Sequence, residues 1–162
     1  MDAVGAGAIR DVVAALPVAP RLGDVVTAVA RKTGKPVRVV DVDGPSWGGL
    51  TALVSQLPDE ALVLLPPGST PLYRMHCVLH ELGHLVRGDV GGPVPRTQLA
   101  YAAWSAGGAV CHRSLDHPGH AHVADPGTVR PGDDEEFAET FAYELATVLL
   151  SGTVGAAERT YG

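Results

Sequence analysis

Apolar and polar positions divide the chain into short helices and strands in its first half and one longer helix near its end. Ile9 to Leu16 reads as a short helix closed by Pro17 and Pro20. Gly23-Asp24 opens a second helix, with Val25, Val26, Val29 and Ala30 as its apolar stripe and Lys32-Thr33-Gly34 as its C-terminal signature. Pro36 precedes Val37-Arg38-Val39-Val40-Asp41-Val42, a β-branched run that predicts a strand. Turn signals at Asp43-Gly44-Pro45 and Gly48-Gly49 follow. Leu50 to Leu57 and Ala61 to Leu65 predict two further strands, separated by Pro58-Asp59-Glu60. From Pro71 to Gly88, Leu72, Met75, Leu79, Leu82 and Val86 recur at helical spacing and form one apolar seam. Ser69 or Thr70 supplies an N-cap, Pro71 suits the first turn, and Gly88 after Arg87 supplies the stop.

Beyond Gly88 the pattern weakens. Gln98 to Ala106 reads as a short helix containing Tyr101 and Trp104. Gly107 to Gly132 has no usable periodicity and is rich in Gly, Pro, Asp and His, including His112, His117, His120 and His122. Irregular stretches of that length in a small domain are functional loops or disordered ones. Asp134 to about Leu150 predicts the last helix, with Phe137, Phe141, Leu145 and Val148 as its core stripe. The tail after Ser151-Gly152 is weakly patterned. Helices around three strands make an α+β unit. The expectation is one domain over residues 1–162, with a long His-, Gly- and Pro-rich insertion at about 107–132.

Composition narrows the functional classes. A hydrophobic fraction of 46% is a globular value, and 20 glycines with 13 prolines predict many loops. The formal net charge of −6, with no run of Lys or Arg, argues against a nucleic-acid surface. Any effect on transcription would therefore pass through a protein partner. Two cysteines, Cys77 on the third predicted helix and Cys111 in the irregular stretch, are too few for a secreted disulfide framework. The opening Met-Asp-Ala-Val-Gly-Ala-Gly-Ala lacks the basic residues of a signal peptide. No apolar run approaches the ~20 residues of a membrane span. A cytoplasmic protein with no membrane partner is expected.

The chemistry concentrates in His80-Glu81-Leu82-Gly83-His84. On a helix the two histidines share a face one turn apart and can bind one metal ion, while Glu81, about 100° further round, reaches a water on that metal. This is the H-E-x-x-H pattern of zinc metalloproteases, two ligands and a general base in five residues. Chance alone would produce it in roughly one such chain in a hundred, so its context matters. The context agrees: His76, His80, His84, Cys77 and Glu81 fall opposite the apolar seam. Catalytic zinc takes three protein ligands and keeps a position for water. The third donor is sought in Asp133-Asp134-Glu135-Glu136-Phe137-Ala138-Glu139, where Glu135 and Glu139 share a helix face. One carboxylate would bind the metal, and the next, a turn deeper, would accept a hydrogen bond from the non-liganding nitrogen of a metal-bound histidine. An acidic first turn that only complements the helix dipole is the competing reading. Asp89 is one residue short of the spacing used by proteases whose third ligand follows on the next segment, and is set aside. The loop histidines are read as solvated, His120 and His122 being alternative ligands, and Cys77 as an inert buried thiol.

Two segments carry a family resemblance. Arg74-Met75-His76-Cys77-Val78-Leu79-His80-Glu81-Leu82-Gly83-His84-Leu85-Val86-Arg87-Gly88, with the later Glu135-Glu136-Phe137-Ala138-Glu139-Thr140-Phe141-Ala142-Tyr143-Glu144-Leu145, resembles the ImmA/IrrE-like zinc metallopeptidases. The resemblance covers about residues 22–90 and 133–150. It implies a zincin-like α+β fold, in which a small, mostly antiparallel three-stranded sheet packs on a central H-E-x-x-H helix, with further helices around it. It implies Zn2+ held by His80, His84 and Glu135, with Glu81 as catalytic base and Glu139 supporting a ligand. The family's usual Asn falls on Glu139, its Leu-Leu-Met-Pro-like ending becomes Thr147-Val148-Leu149-Leu150-Ser151, and an apolar residue is usual where His76 stands. The implied activity is intracellular endopeptidase cleavage of a partner regulator, such as a helix-turn-helix repressor or an antitoxin. The alternative is a zincin-like interaction or toxin-type module that binds its partner without cutting it. Tyr143, Tyr101, His76 and the loop histidines are the candidate oxyanion donors.

Overall fold

Among the described residues of a computed structural model (3–43, 47, 50–88, 109–114 and 131–160), four helices and four strands follow one another. α1 spans Ala3–Ala14 and α2 spans Leu22–Thr33. Strands β1 (Val37–Asp41), β2 (Leu50–Gln56) and β3 (Ala61–Leu65) lead to α3, Pro71–Arg87. A fourth strand, β4 (Ala109–Ser114), precedes the last helix, α4 (Pro131–Thr160).

Helix ends follow the local chemistry. The Arg21 backbone N–H donates to the Asp24 carboxylate at 2.7 Å, which satisfies one of the first-turn donors of α2. α3 starts from an extended Thr70 with proline in its first turn. It stops at Gly88, whose φ of 78° is the left-handed conformation that only glycine adopts cheaply. The Gly88 N–H then bonds back to the carbonyls of His84 and Leu85 at 3.0 and 3.3 Å.

α1 begins well before Ile9, since Gly5 and Gly7 mask a helical pattern that their low propensity would otherwise argue against. α4 extends the expected helix at both ends, taking in Pro131 and Gly132 from the stretch read as irregular. Its core stripe is Phe137, Ala138, Phe141, Ala142, Leu145 and Leu149, so Leu149 takes the buried place expected of Val148.

The sheet order is β1-β3-β2-β4. β3 runs parallel to β1 and antiparallel to β2, and β2 runs antiparallel to β4. The sheet is thus mostly antiparallel, as expected, but has four strands and not three. β4 lies inside the stretch read as structureless and carries Cys111 and His112, so neither is a loop residue. Ala109-Val110-Cys111-His112-Arg113-Ser114 alternates too weakly to be read locally; its pairing with β2 decides its conformation. The predicted helix over Gln98 to Ala106, with Tyr101 and Trp104, lies outside the described residues, as do Asp89, His117, His120 and His122.

Central β3 is buried along its whole length. Ala61, Val63 and Leu65 face the main core with Ala52 and Val54 of β2, the buried residues of α2 and α3, and the apolar stripe of α4. Leu62 and Leu64 face the other way and pack with Leu53 in a smaller cluster. Burying one such side chain stabilises by about 1.5–3 kcal/mol. α3 is therefore held between the sheet, α2 and α4, and residues Cys77 to Leu85 are all buried. Leu72 departs from the predicted seam: it is 61% exposed, because the helix leaves the core in its first turn. No helix among the described residues is long and apolar enough to cross a membrane.

Candidate metal centre

Packing, not the ligand residues themselves, brings α3 and α4 together. A Cβ placed on Gly83 would stand 2.8 Å from the Ala138 Cα, closer than real atoms approach. Gly83 thus lets the two helices touch backbone to backbone in the middle of the H-E-x-x-H motif. At the C-terminal end of α3, Arg87 Nε donates to Asp134 Oδ1 at 3.2 Å, and its guanidinium lies 5.5 Å from the centre of the Phe137 ring. Those two partners flank Glu135. Phe137, Phe141 and Leu145 anchor the opposite face of α4 in the core. What remains on the α3 side is the pair Glu135 and Glu139.

Three predicted ligands meet there. His80 and His84 are each 1% exposed, and their Nε2 atoms are 3.1 Å apart. Glu135 spans them: its Oε2 is 3.4 Å from His80 Nε2 and its Oε1 is 3.5 Å from His84 Nε2. One ligand atom from each of the three lies within 4.8 Å of the others, and the group can hold a metal ion. The spacing suits a small cation: ligands about 2.0–2.1 Å from a tetrahedral ion stand about 3.3–3.4 Å apart. The two buried imidazole nitrogens are within hydrogen-bond distance of each other at 3.1 Å, a separation that also suits neighbouring ligands of one ion.

Glu139 lies one turn further along α4. Its Oε1 is 3.4 Å from His80 Nδ1, the ring nitrogen that does not face Glu135. Glu81 is also 1% exposed and sits beside His80 on α3. The two carboxylates on α4 have a different environment: the Glu135 and Glu139 side chains are 49% and 43% exposed. The centre therefore has a protein-filled floor of imidazoles and an open acidic rim. Cys77 is buried, 4% exposed, and free of a disulfide. Tyr143 is 73% exposed on the α4 surface.

Sequence reasoning left out two positioning features. Gly83 was legible only as the variable residue of a motif, although a glycine inside a helix is a signal of close approach. The Arg87–Asp134–Phe137 contact joins segments far apart in the chain, and no local pattern announces it.

The arrangement defines a class of site, two imidazoles and a carboxylate gathered between a buried helix and a surface helix. Comparison with protein-family models, curated proteins and solved structures finds no match to this chain.

Proposed function

We propose that the protein is a zinc-dependent endopeptidase acting inside the cell on a regulatory protein partner, with a zincin-like scaffold of the ImmA/IrrE-like kind. The observation that carries this reading is the meeting of His80 and His84 with Glu135 at distances that suit a tetrahedral ion. Two imidazoles and one carboxylate are a typical donor set of catalytic zinc, with one position left for water or substrate.

Bound zinc supplies a Lewis acid that polarises a scissile carbonyl and brings the pKa of a water to about 7. Glu81 takes the proton from the attacking water on a carboxylate oxygen. It then delivers that proton to the leaving amide nitrogen as the peptide C–N bond breaks. Glu139, whose Oε1 stands 3.4 Å from His80 Nδ1, would accept the Nδ1–H of that ring and so leave the lone pair of Nε2 for the metal. The half-exposed rim of Glu135 and Glu139 gives a peptide access to this chemistry. An extended substrate would be held by main-chain hydrogen bonds to a sheet edge. Since β2 and β3 are paired on both sides, β1 and β4 are the edges among the described strands.

Glu81→Gln tests the mechanism. The variant should keep its zinc, measured by metal analysis, and lose at least about 10²-fold in cleavage of a helix-turn-helix regulator encoded beside it. Full activity in that variant would end the mechanism. A regulator that binds the wild-type protein and emerges uncut would instead support a sequestering module.

A further inference from the structure

A third imidazole stands one turn before the pair. His76 Nε2 is 3.7 Å from Glu139 Oε2, while the other oxygen of the same carboxylate is 3.4 Å from His80 Nδ1. The His76 and His80 rings are 6.4 Å apart between centroids and tilted by 41°. One carboxylate thus faces two rings, with a separate oxygen towards each. We propose that His76 is a positioning residue: by donating Nε2–H to Glu139 it holds that carboxylate on His80 Nδ1, and so selects the His80 tautomer whose Nε2 can bind a metal.

The physical argument rests on contrast in burial. His80 is 1% exposed and cannot turn to water for a partner. Its Nδ1 makes no hydrogen bond of good geometry among the described residues, and Glu139 is the carboxylate facing it. Glu139 is long, flexible and 43% exposed, so a single contact leaves it many rotamers. A second donor on its other oxygen removes that freedom. His76, 37% exposed and on the solvent side of His80, is placed to supply it. The separation of 3.7 Å is too short for an intervening water, and a shift of about 0.5 Å in two half-exposed side chains brings it into hydrogen-bond range. The rival account is an ordinary surface pair, which would leave His80 unaffected.

This inference rests on the metal-centre reading, but its first test needs no metal. Long-range proton–nitrogen NMR of the full, metal-free chain in mildly alkaline solution reads which nitrogen of His80 carries the proton. Wild type should be mainly Nδ1–H. His76→Phe, with His76→Ala as a second variant lacking the donor, should shift His80 to a mixture of tautomers, and His76→Gln should restore the wild-type state. Zinc affinity should fall about three- to tenfold in His76→Ala, less than the about 10- to 100-fold expected for Glu139→Ala. In the Glu139→Ala background, His76→Ala should cost nothing more. An unchanged His80 tautomer in the His76 variants, or zinc losses that simply add, would overturn the proposal. A wild-type protein that binds no zinc would sink the peptidase reading and leave the tautomer measurement to judge His76 on its own.

Discussion

His80, Glu81 and His84 are three ionisable side chains, each 1% exposed, in a helical run otherwise filled by Cys77, Val78, Leu79, Leu82, Gly83 and Leu85. Burying such groups costs several kcal/mol unless each finds a partner, so a helix evolved for packing alone would carry leucine or valine there. The three were legible in the sequence because their relation is local, fixed by a helical turn. For the third donor, spacing alone offered only an acidic run and the family resemblance singled out Glu135; its meeting with the imidazoles depends on how α4 lies against α3. Charges on the surface follow a milder logic. Asp11 is exposed, and its pKa lies below the ordinary 3.8, first because Lys32 hydrogen-bonds to it and second through the attraction of that charge. A depressed carboxyl pKa contributes stability above pH 3.8, and that contribution is lost as pH falls through the folded-state value. Lys32→Met should therefore raise the Asp11 pKa and remove most of its share of the acid sensitivity, as followed by an NMR titration of the Asp11 carboxyl.

Elements, and not residues, set the dimensions of the centre. Helix α3 was readable from cap to cap, since Pro71, the apolar seam and Gly88 all act within the segment. β4 was not, because its conformation follows from pairing with β2 across more than fifty residues of chain. The approach of α3 to α4 hangs on Gly83, where an added methyl group meets backbone, not the yielding end of a side chain. Two effects oppose each other in Gly83→Ala: better helix propensity, worth about 1 kcal/mol, and overpacking, which costs about 1–3 kcal/mol. Since the Ala138 Cα cannot move without α4, overpacking should win by about 1 kcal/mol, measured as a fall in the denaturation midpoint. Moving α4 also withdraws Glu135 and Glu139, which flank Ala138, so zinc affinity should drop at least about tenfold. Gly88→Ala is the control. It forces a φ of 78° on an ordinary residue at a cost of about 1 kcal/mol, yet lies beyond the ligands and should leave zinc affinity of the folded protein unchanged. If both variants lost zinc equally, α3–α4 spacing would not be what sets the site.

In the molecule as a whole, α4 has the most to gain from a metal. One side of it is locked into the core by Phe137, Phe141 and Leu145, but the other faces α3 through carboxylates 49% and 43% exposed. Without a cation, Glu135 stands against two imidazoles that must be protonated to attract it strongly, and two protonated imidazoles 3.1 Å apart would repel each other. A divalent ion held by this group would resolve that conflict by attracting all three side chains at once. Binding then adds to folding stability by RT ln(1 + [L]/Kd), about 2.7 kcal/mol at a free ion concentration of 100 Kd. For a chain of this size, 1 kcal/mol moves the melting temperature by about 2–4 °C, so saturating zinc should raise it by about 5–10 °C. Chelator should reverse the rise. His84→Ala, which removes one imidazole, should abolish most of the zinc-dependent shift, and Glu135→Ala should reduce it strongly. Asp133→Ala, altering an exposed acid of the same turn that belongs to no ligand set, should keep it. An equal zinc response in all four proteins would mean that the ion binds the acidic surface at large, and the two helices would then owe their contact to Gly83, Arg87 and the core alone.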